Sequence, residues 1–325
     1  MSRIGIVSVG KYVPKHVVTN EHLEKMVETS SAWIVARTGI RQRRIAAKHE
    51  RSSHMGIHAA REALEKAKLD PGKVELIIVA TCTPDSAFPS VGCLVQKALG
   101  AHKAAAFDVS AACSGYLFSL TTAHQYLKSG MFKNALVIAA EKFTSILDWN
   151  DRGTCVLFGD GAGACVLKPV RGDRGILSDF ILSHGEYSEL MDVIAQDKDP
   201  MSQEETKVRA PYVRMRGPEL FKIAVNSMAE AVRHAVHRAG MKIEDIDIVV
   251  PHQANDRIIS AVAKKLSIPK DKFFINIEKY GNTSASAVAI ALYEAVEQKR
   301  IRRGDNVALV TFGAGLVSAA NVVRW

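Results

Sequence analysis

Three short segments of this 325-residue chain carry side chains able to do chemistry: Cys113 in SAACSGY, His252 in VPHQAN and Asn282 in YGNTSAS. Cys113 stands where a strand-like run turns into a helical pattern, and there backbone N–H groups and the helix dipole favour thiolate over thiol. That is a position for a nucleophile. Cysteine is also commonly a small buried hydrophobe, and that reading is kept for Cys82, Cys93, Cys155 and Cys165, which lack the Cys-Ser-Gly turn. His252 directly follows the apolar run IDIVVP, so its ring emerges at the carboxyl end of a strand, where open α/β sheets place ligands. Asn282 suits a helix N-cap as well as a site amide, because Gly-Asn-Thr-Ser is turn and cap chemistry.

The elements that must position these residues read as α/β. Strand-like runs KVELIIVAT (73–81), AAAFDVS (104–110), NALVIAA (134–140) and GACVLKP (163–169) alternate with helical patterns at 55–68 and 114–128. The plan recurs later: a helix over about 218–239, then IDIVVPH, a helix from Asn255, the run FFINI, a helix over about 283–299, and NVALVTF. The interval from Thr81 to Cys113 nearly equals that from Pro251 to Asn282, so the halves read as a duplication that brings two helix starts toward one centre. The expected organisation is 1–170 as a half carrying the cysteine, 171–217 as a connecting or cap segment with Pro200 and Pro211, and 218–325 as a half carrying His252 and Asn282.

Composition bounds the function. With 47% hydrophobic and 24% charged residues the chain is an ordinary globular protein. No apolar run spans a bilayer and the start reads as a strand, so a cytoplasmic protein is expected. Five irregularly spaced cysteines do not make a disulfide framework, and no Cys/His cluster has zinc spacing, so no metal is expected. FGDGAGA (158–164) precedes a strand instead of opening a helix, which discounts a dinucleotide fingerprint. A net charge of +9 favours an acidic partner, while the absence of nucleic-acid-binding motifs leaves nucleic acid out.

Several blocks in fixed order, SAWIVARTGIRQRRIA (31–46), TPDSAFPS (83–90), SAACSGY, DRGTCVLFGDGAGA (151–164), VPHQANDRII (250–259), GNTSAS (281–286) and FGAG (312–315), resemble the thiolase superfamily, and within it the β-ketoacyl-[acyl carrier protein] synthase III family. The resemblance runs nearly end to end. It implies a thiolase-like α/β fold of two duplicated βαβαβ-type halves in a layered α-β-α-β-α core. It also implies an acyltransferase that condenses an acyl-CoA primer with malonyl-[acyl carrier protein], with loss of CO₂, to begin type II fatty-acid synthesis. The elongating relatives carry a second His where this chain has Asn282, and biosynthetic thiolases a second Cys near the C-terminus. A related condensing enzyme of secondary metabolism, with another primer or acceptor, is the alternative. A thioesterase or a non-catalytic scaffold would be further readings of the same fold.

Carried over by resemblance, Cys113 accepts the acyl group, and His252 with Asn282 hydrogen-bonds the malonyl thioester oxygen. Backbone N–H groups of Cys113 and Ala314 form the oxyanion hole. Ala314 replaces the middle one of three family glycines, a change a backbone donor survives where φ is not strongly positive. For coenzyme A, the resemblance implies Trp33 and Arg152 flanking the adenine, Thr29 and Arg37 nearby, and Gly217, Phe221 and Asn255 along the pantetheine tunnel. Phe88 resembles the residue that closes the acyl pocket across a homodimer. Lys222, Arg257, Lys264 and Lys265 resemble the basic patch that docks acyl carrier protein. Coenzyme A thioester is then substrate, and no cofactor is expected.

Overall fold

The computed structural model describes residues 3–193 and 212–325; Pro200 and Pro211 lie outside the described residues. Its principal elements are β1 (Arg3–Tyr12), α1 (Ser31–Thr38), α2 (Ser52–Lys66), β2 (Leu76–Ala80), α3 (Val91–Leu99), β3 (Ala105–Val109), α4 (Gly115–Lys128), β4 (Ala135–Glu141), β5 (Gly161–Val170) and β6 (Gly175–Ser183). They continue with α5 (Gly217–Arg238), β7 (Ile248–Pro251), α6 (Asp256–Leu266), α7 (Ser286–Glu297), β8 (Asn306–Gly313) and β9 (Val317–Arg324).

Of the two larger sheets, one runs β1-β5-β4-β2-β3 and the other β7-β8-β9-β6. In the first, β2 pairs in parallel with both β3 and β4, while β5 runs antiparallel to β4 and β1. In the second, β7 and β8 are parallel and β9 is antiparallel to its two neighbours. Burial explains the sequence pattern. β2 (LIIVA) and β7 (IVVP) are buried along their whole length, so they read as unbroken apolar runs, as strands covered on both faces do.

Three apolar clusters give the layers. The middle one joins Leu76, Ile78 and Val137 of the first sheet to Val250 and Leu309 of the second through α4 (Tyr116, Leu117, Leu120) and α7 (Val288, Leu292). The second packs α5 and α6 on the outside of the second sheet, and the third packs α2 and α3 on the outside of the first. The order is helix, sheet, helix, sheet, helix, as the thiolase-like reading implies. Each layer buries a face that neither sheet nor helix can leave to water.

Two expectations change. FFINI is not a strand; it keeps one parallel bridge, Val249 to Phe273, beside β7, and the chain turns into a short helix at Ile277–Tyr280. That bridge occupies the edge where β3 stands in the other half. Residues 171–217 are not all connecting loop, because Gly175–Ser183 is a full strand paired antiparallel to β9.

Candidate active site

Cys113 sits in the single 3₁₀ turn Ala112–Ser114 that leads from β3 into α4. Ala112 has φ +45°, a left-handed conformation that a side chain seldom adopts. The thiol is buried and lies 3.6 Å from Ser284 Oγ. Burial pushes it up to about 12, Ser284 pulls the other way, and the nearby Glu141 charge adds to the rise. Burial therefore works against the bias toward thiolate expected at a helix start and favours the neutral thiol in the resting chain.

His252 follows β7 directly, and its backbone N–H donates to Val310 O at 2.7 Å. Its imidazole is buried, and burial alone pushes it down to about 4, so it is uncharged at neutral pH. Nδ1 is buried without a hydrogen-bond partner among the described residues, which leaves Nε2 as the nitrogen that can meet a ligand. The next residue, Gln253, ties this turn down: its amide donates to Pro251 O and Phe274 O and accepts from Asn276 N at 3.0 Å.

Asn282 is not the N-cap of α7, a position taken by Ala285. Its Oδ1 accepts from Ser284 N at 2.9 Å, so the amide N–H₂ is what it can offer to a ligand. The backbone is clamped by the 151–164 motif: Asn282 N donates to Leu157 O at 2.9 Å and Gly159 N to Asn282 O at 3.0 Å. FGDGAGA is thus a brace between the halves. Its Asp160 is buried and accepts from Ala46 N, Thr144 N and Thr144 Oγ1.

Cys113, His252 and Asn282 all line one cavity of about 540 Å³, together with Phe312, Gly313 and Ala314. Farther out, its walls include Trp33, Arg37, Gly217, Phe221, Asn255 and Arg257. Asn255 caps α6 through Oδ1 to Arg257 N and donates from Nδ2 to Arg37 O at 3.0 Å. Ala314 is not among the residues with positive φ, so its side chain costs the backbone no strain there.

Thr29 and Arg152 do not line this cavity. Thr29 Oγ1 is buried without a partner among the described residues, just ahead of α1. The Arg152 guanidinium lies 5.6 Å from the Trp33 ring centroid and donates to Glu28 O at 2.8 Å. Phe88 is 86% exposed and is not brought to the site within the chain. Lys222, Arg257, Lys264 and Lys265 are exposed on α5 and α6, with Arg257 at the cavity wall, 5.7 Å over the Phe221 ring. Cys93 is exposed, contrary to the buried reading, and all five cysteines are free.

Three neighbours of Cys113 went unread in the sequence. Gly313 ends β8 against the Cys113 backbone, Ser284 meets the thiol, and Glu141, at the end of β4, accepts from Ser284 Oγ at 3.3 Å. A smaller cavity of about 240 Å³ touches Cys113 on another side, lined by Cys82, Phe143, Ile146, Met191 and Ser284 among others.

Comparison with known proteins gives the family. Residues 107–185 match the family model described as 3-oxoacyl-[acyl-carrier-protein] synthase III, and residues 236–325 match the model of its C-terminal part. The chain is 49% identical over 317 residues to a β-ketoacyl-[acyl-carrier-protein] synthase III of Roseiflexus castenholzii, covering 97% of this chain and 96% of that one. The crystal structure of 3-oxoacyl-[acyl-carrier-protein] synthase III from Aquifex aeolicus superposes with a TM-score of 0.93 at 48% identity, over 99% of this chain and 100% of that one. The priming β-ketosynthase of the R1128 polyketide pathway superposes at 0.92 with 34% identity, over 99% and 96%. With relatives this similar over nearly its whole length, the chain belongs to the 3-oxoacyl-[acyl-carrier-protein] synthase III family of condensing acyltransferases.

Proposed function

We propose that the chain condenses an acyl-CoA primer with malonyl-[acyl carrier protein] in two half-reactions at one cavity, with Cys113 as acyl acceptor and His252 and Asn282 as oxyanion donors. The observation that carries this is the convergence of a buried thiol, an uncharged imidazole and an amide on one cavity wall. A thiol exchanges with a thioester at little energetic cost. Loss of CO₂ from a malonyl thioester leaves an enolate whose oxygen needs fixed N–H donors more than a strong base. A histidine held neutral by burial supplies a donor without competing for the proton. Backbone N–H groups of Cys113 and Ala314 would serve the acyl-transfer oxyanion.

The outer cavity suits a pantetheine arm, and the flat pair Trp33 and Arg152 with Arg37 suits an adenine nucleotide. The guanidinium now rests against the indole, so admitting a purine between them requires Arg152 to swing away. Exposed Lys222, Arg257, Lys264 and Lys265 make no ion pair among the described residues, which fits docking of an acidic carrier protein. Strand β3 is a sheet edge, and its Asp108 accepts from Val91 N, three residues beyond Phe88. An exposed Phe88 close to an open edge supports a homodimer in which Phe88 closes the partner's acyl pocket. No helix among the described residues is long and apolar enough to cross a membrane, and the expected cytoplasmic location remains part of this reading. Coenzyme A is substrate in this scheme, and the residues described form no metal-binding group. Acyl loading of Cys113 followed by transfer to malonyl-[acyl carrier protein], read by intact mass, tests the proposal.

A further inference from the structure

The resting thiol poses a problem for acyl transfer: Cys113 is buried and must shed a proton before sulfur can attack. A route leads away from it. Sγ lies 3.6 Å from Ser284 Oγ, and Ser284 Oγ lies 3.3 Å from Glu141 Oε1. Both Ser284 and Glu141 are held in place. Ser284 adopts φ +52°, a strained conformation for a residue with a side chain, and its N–H is fixed by Asn282 Oδ1 at 2.9 Å. Glu141 is wholly buried and accepts from Cys82 N at 3.1 Å and Thr83 Oγ1 at 2.7 Å. A carboxylate at the end of an otherwise apolar strand is expensive to bury, and nothing else in the proposed reaction uses it.

We propose that Glu141, acting through the Ser284 hydroxyl, is the positioning residue that receives the Cys113 proton as the thiol becomes acylated. This rests on the reading of Cys113 as acyl acceptor. The S–H bond breaks as its proton passes to Ser284 Oγ, while the Ser284 O–H bond breaks and its proton joins Glu141 Oε1. The negative charge moves from carboxylate to sulfur, sulfur bonds to the thioester carbonyl carbon, and the departing coenzyme A thiolate finally takes up the proton.

The surroundings suit this role. Burial raises Glu141 to about 7, with Thr83, Cys82 N and Ser284 pulling it down, so it is poised to hold or release a proton near neutrality. The ionisable groups facing it are Cys82, from the loop after β2, and Cys113; burial and the Glu141 charge both keep the Cys82 thiol well above its ordinary value. The adjacent Lys142 ammonium turns away to Ala47 O at 2.6 Å. Among the described residues no cation pairs with Glu141.

The test is the rate of Cys113 alkylation by iodoacetamide, resolved by peptide mass spectrometry across pH, for the unaltered chain, Glu141→Gln and Ser284→Ala. Acetyl-CoA loading is followed in parallel. A carboxylate that takes the proton as sulfur attacks can act only once it has titrated, so the unaltered rate rises through about pH 7 and then levels. Both variants should be about tenfold slower just above neutrality and lack that inflection. A role through charge alone predicts the opposite for Glu141→Gln: loss of a nearby negative charge lowers the thiol and speeds alkylation. That result, or an unchanged profile in Ser284→Ala, overturns the proposal. Should Glu141→Gln not fold, Ser284→Ala decides. An unaltered chain that takes no acetyl group at Cys113 instead overturns the functional reading, whereas normal loading with a profile shared by all three chains overturns the relay alone.

Discussion

A β-carbon added to Gly313 would sit 2.7 Å from the backbone nitrogen of Cys113 and 3.2 Å from its Cβ. The strand end at β8 and the turn that presents the thiol are therefore in contact through backbone, with no room for a side chain.

Gly313→Ala should push that turn aside. Overpacking a closed contact typically costs about 1 to 3 kcal/mol, and a misplaced nucleophile loses rate steeply. The expected outcome is a modestly lowered melting temperature with a large loss of acyl loading at Cys113, measured by calorimetry and intact mass. Unimpaired loading would show that the contact does not govern the thiol.

His252→Ala and Asn282→Ala should each slow condensation about 10²- to 10³-fold, the usual cost of one oxyanion donor. Loading of Cys113 from acyl-CoA should largely survive if, as proposed, these donors serve the second half-reaction. Separate assays of loading and of CO₂ release distinguish the steps; equal losses in both would contradict the assignment.

Two buried groups give opposite pH dependences of stability. His252 falls to about 4 when folded, so its burial carries no penalty above the ordinary imidazole value and becomes destabilising as pH drops from about 6.5 to 4. Glu141 rises to about 7, so its burial carries none while it stays protonated and becomes destabilising as pH rises from about 4.5 to 7. Each effect is on the order of 3 kcal/mol at its limit, and the two slopes oppose each other between those values. Relative to the unaltered chain, His252→Gln should gain stability at acid pH, and Glu141→Gln should gain it above neutrality. Denaturant melts across pH check this; parallel curves for all three would contradict it.

Lys264→Glu with Lys265→Glu should raise KM for malonyl-[acyl carrier protein] several-fold at low salt while leaving KM for acyl-CoA nearly unchanged, since both are exposed outside the cavity wall and rim charges act chiefly on encounter. Steady-state kinetics at two ionic strengths measure it. Equal effects on both substrates would place these residues at the coenzyme A mouth instead.

Much of this was legible in the sequence, for a physical reason. His252 follows β7, a run buried along its whole length, and Cys113 follows β3, an apolar run only partly buried because it stands at the sheet edge. Both runs end where open sheets expose ligand sites. Asn282 could be grouped with them from the matching intervals of the two halves. Strand β6 hides in the sequence because GILSDFILS carries Asp179 in mid-strand; in the fold that carboxylate is met by His124 Nδ1 at 2.6 Å and Asn321 Nδ2 at 2.7 Å. FFINI reads as a strand because it is apolar and branched, yet only one bridge forms before Gln253 captures Asn276. Ser284 meets Cys113, and Glu141 meets Ser284, from distant parts of the chain, and no local pattern reports such contacts. The available signals were the serine two positions beyond Asn282 and the lone acid ending ALVIAAE.

Acyl loading and transfer at Cys113 are read by intact mass of the chain after incubation with acetyl-CoA, isobutyryl-CoA or octanoyl-CoA, followed by a chase with malonyl-[acyl carrier protein]. The expected result is an acyl adduct that is absent from Cys113→Ser and is discharged as β-ketoacyl-[acyl carrier protein]. An adduct that forms on Cys113→Ser as well, or one that is only hydrolysed in the chase, would contradict it.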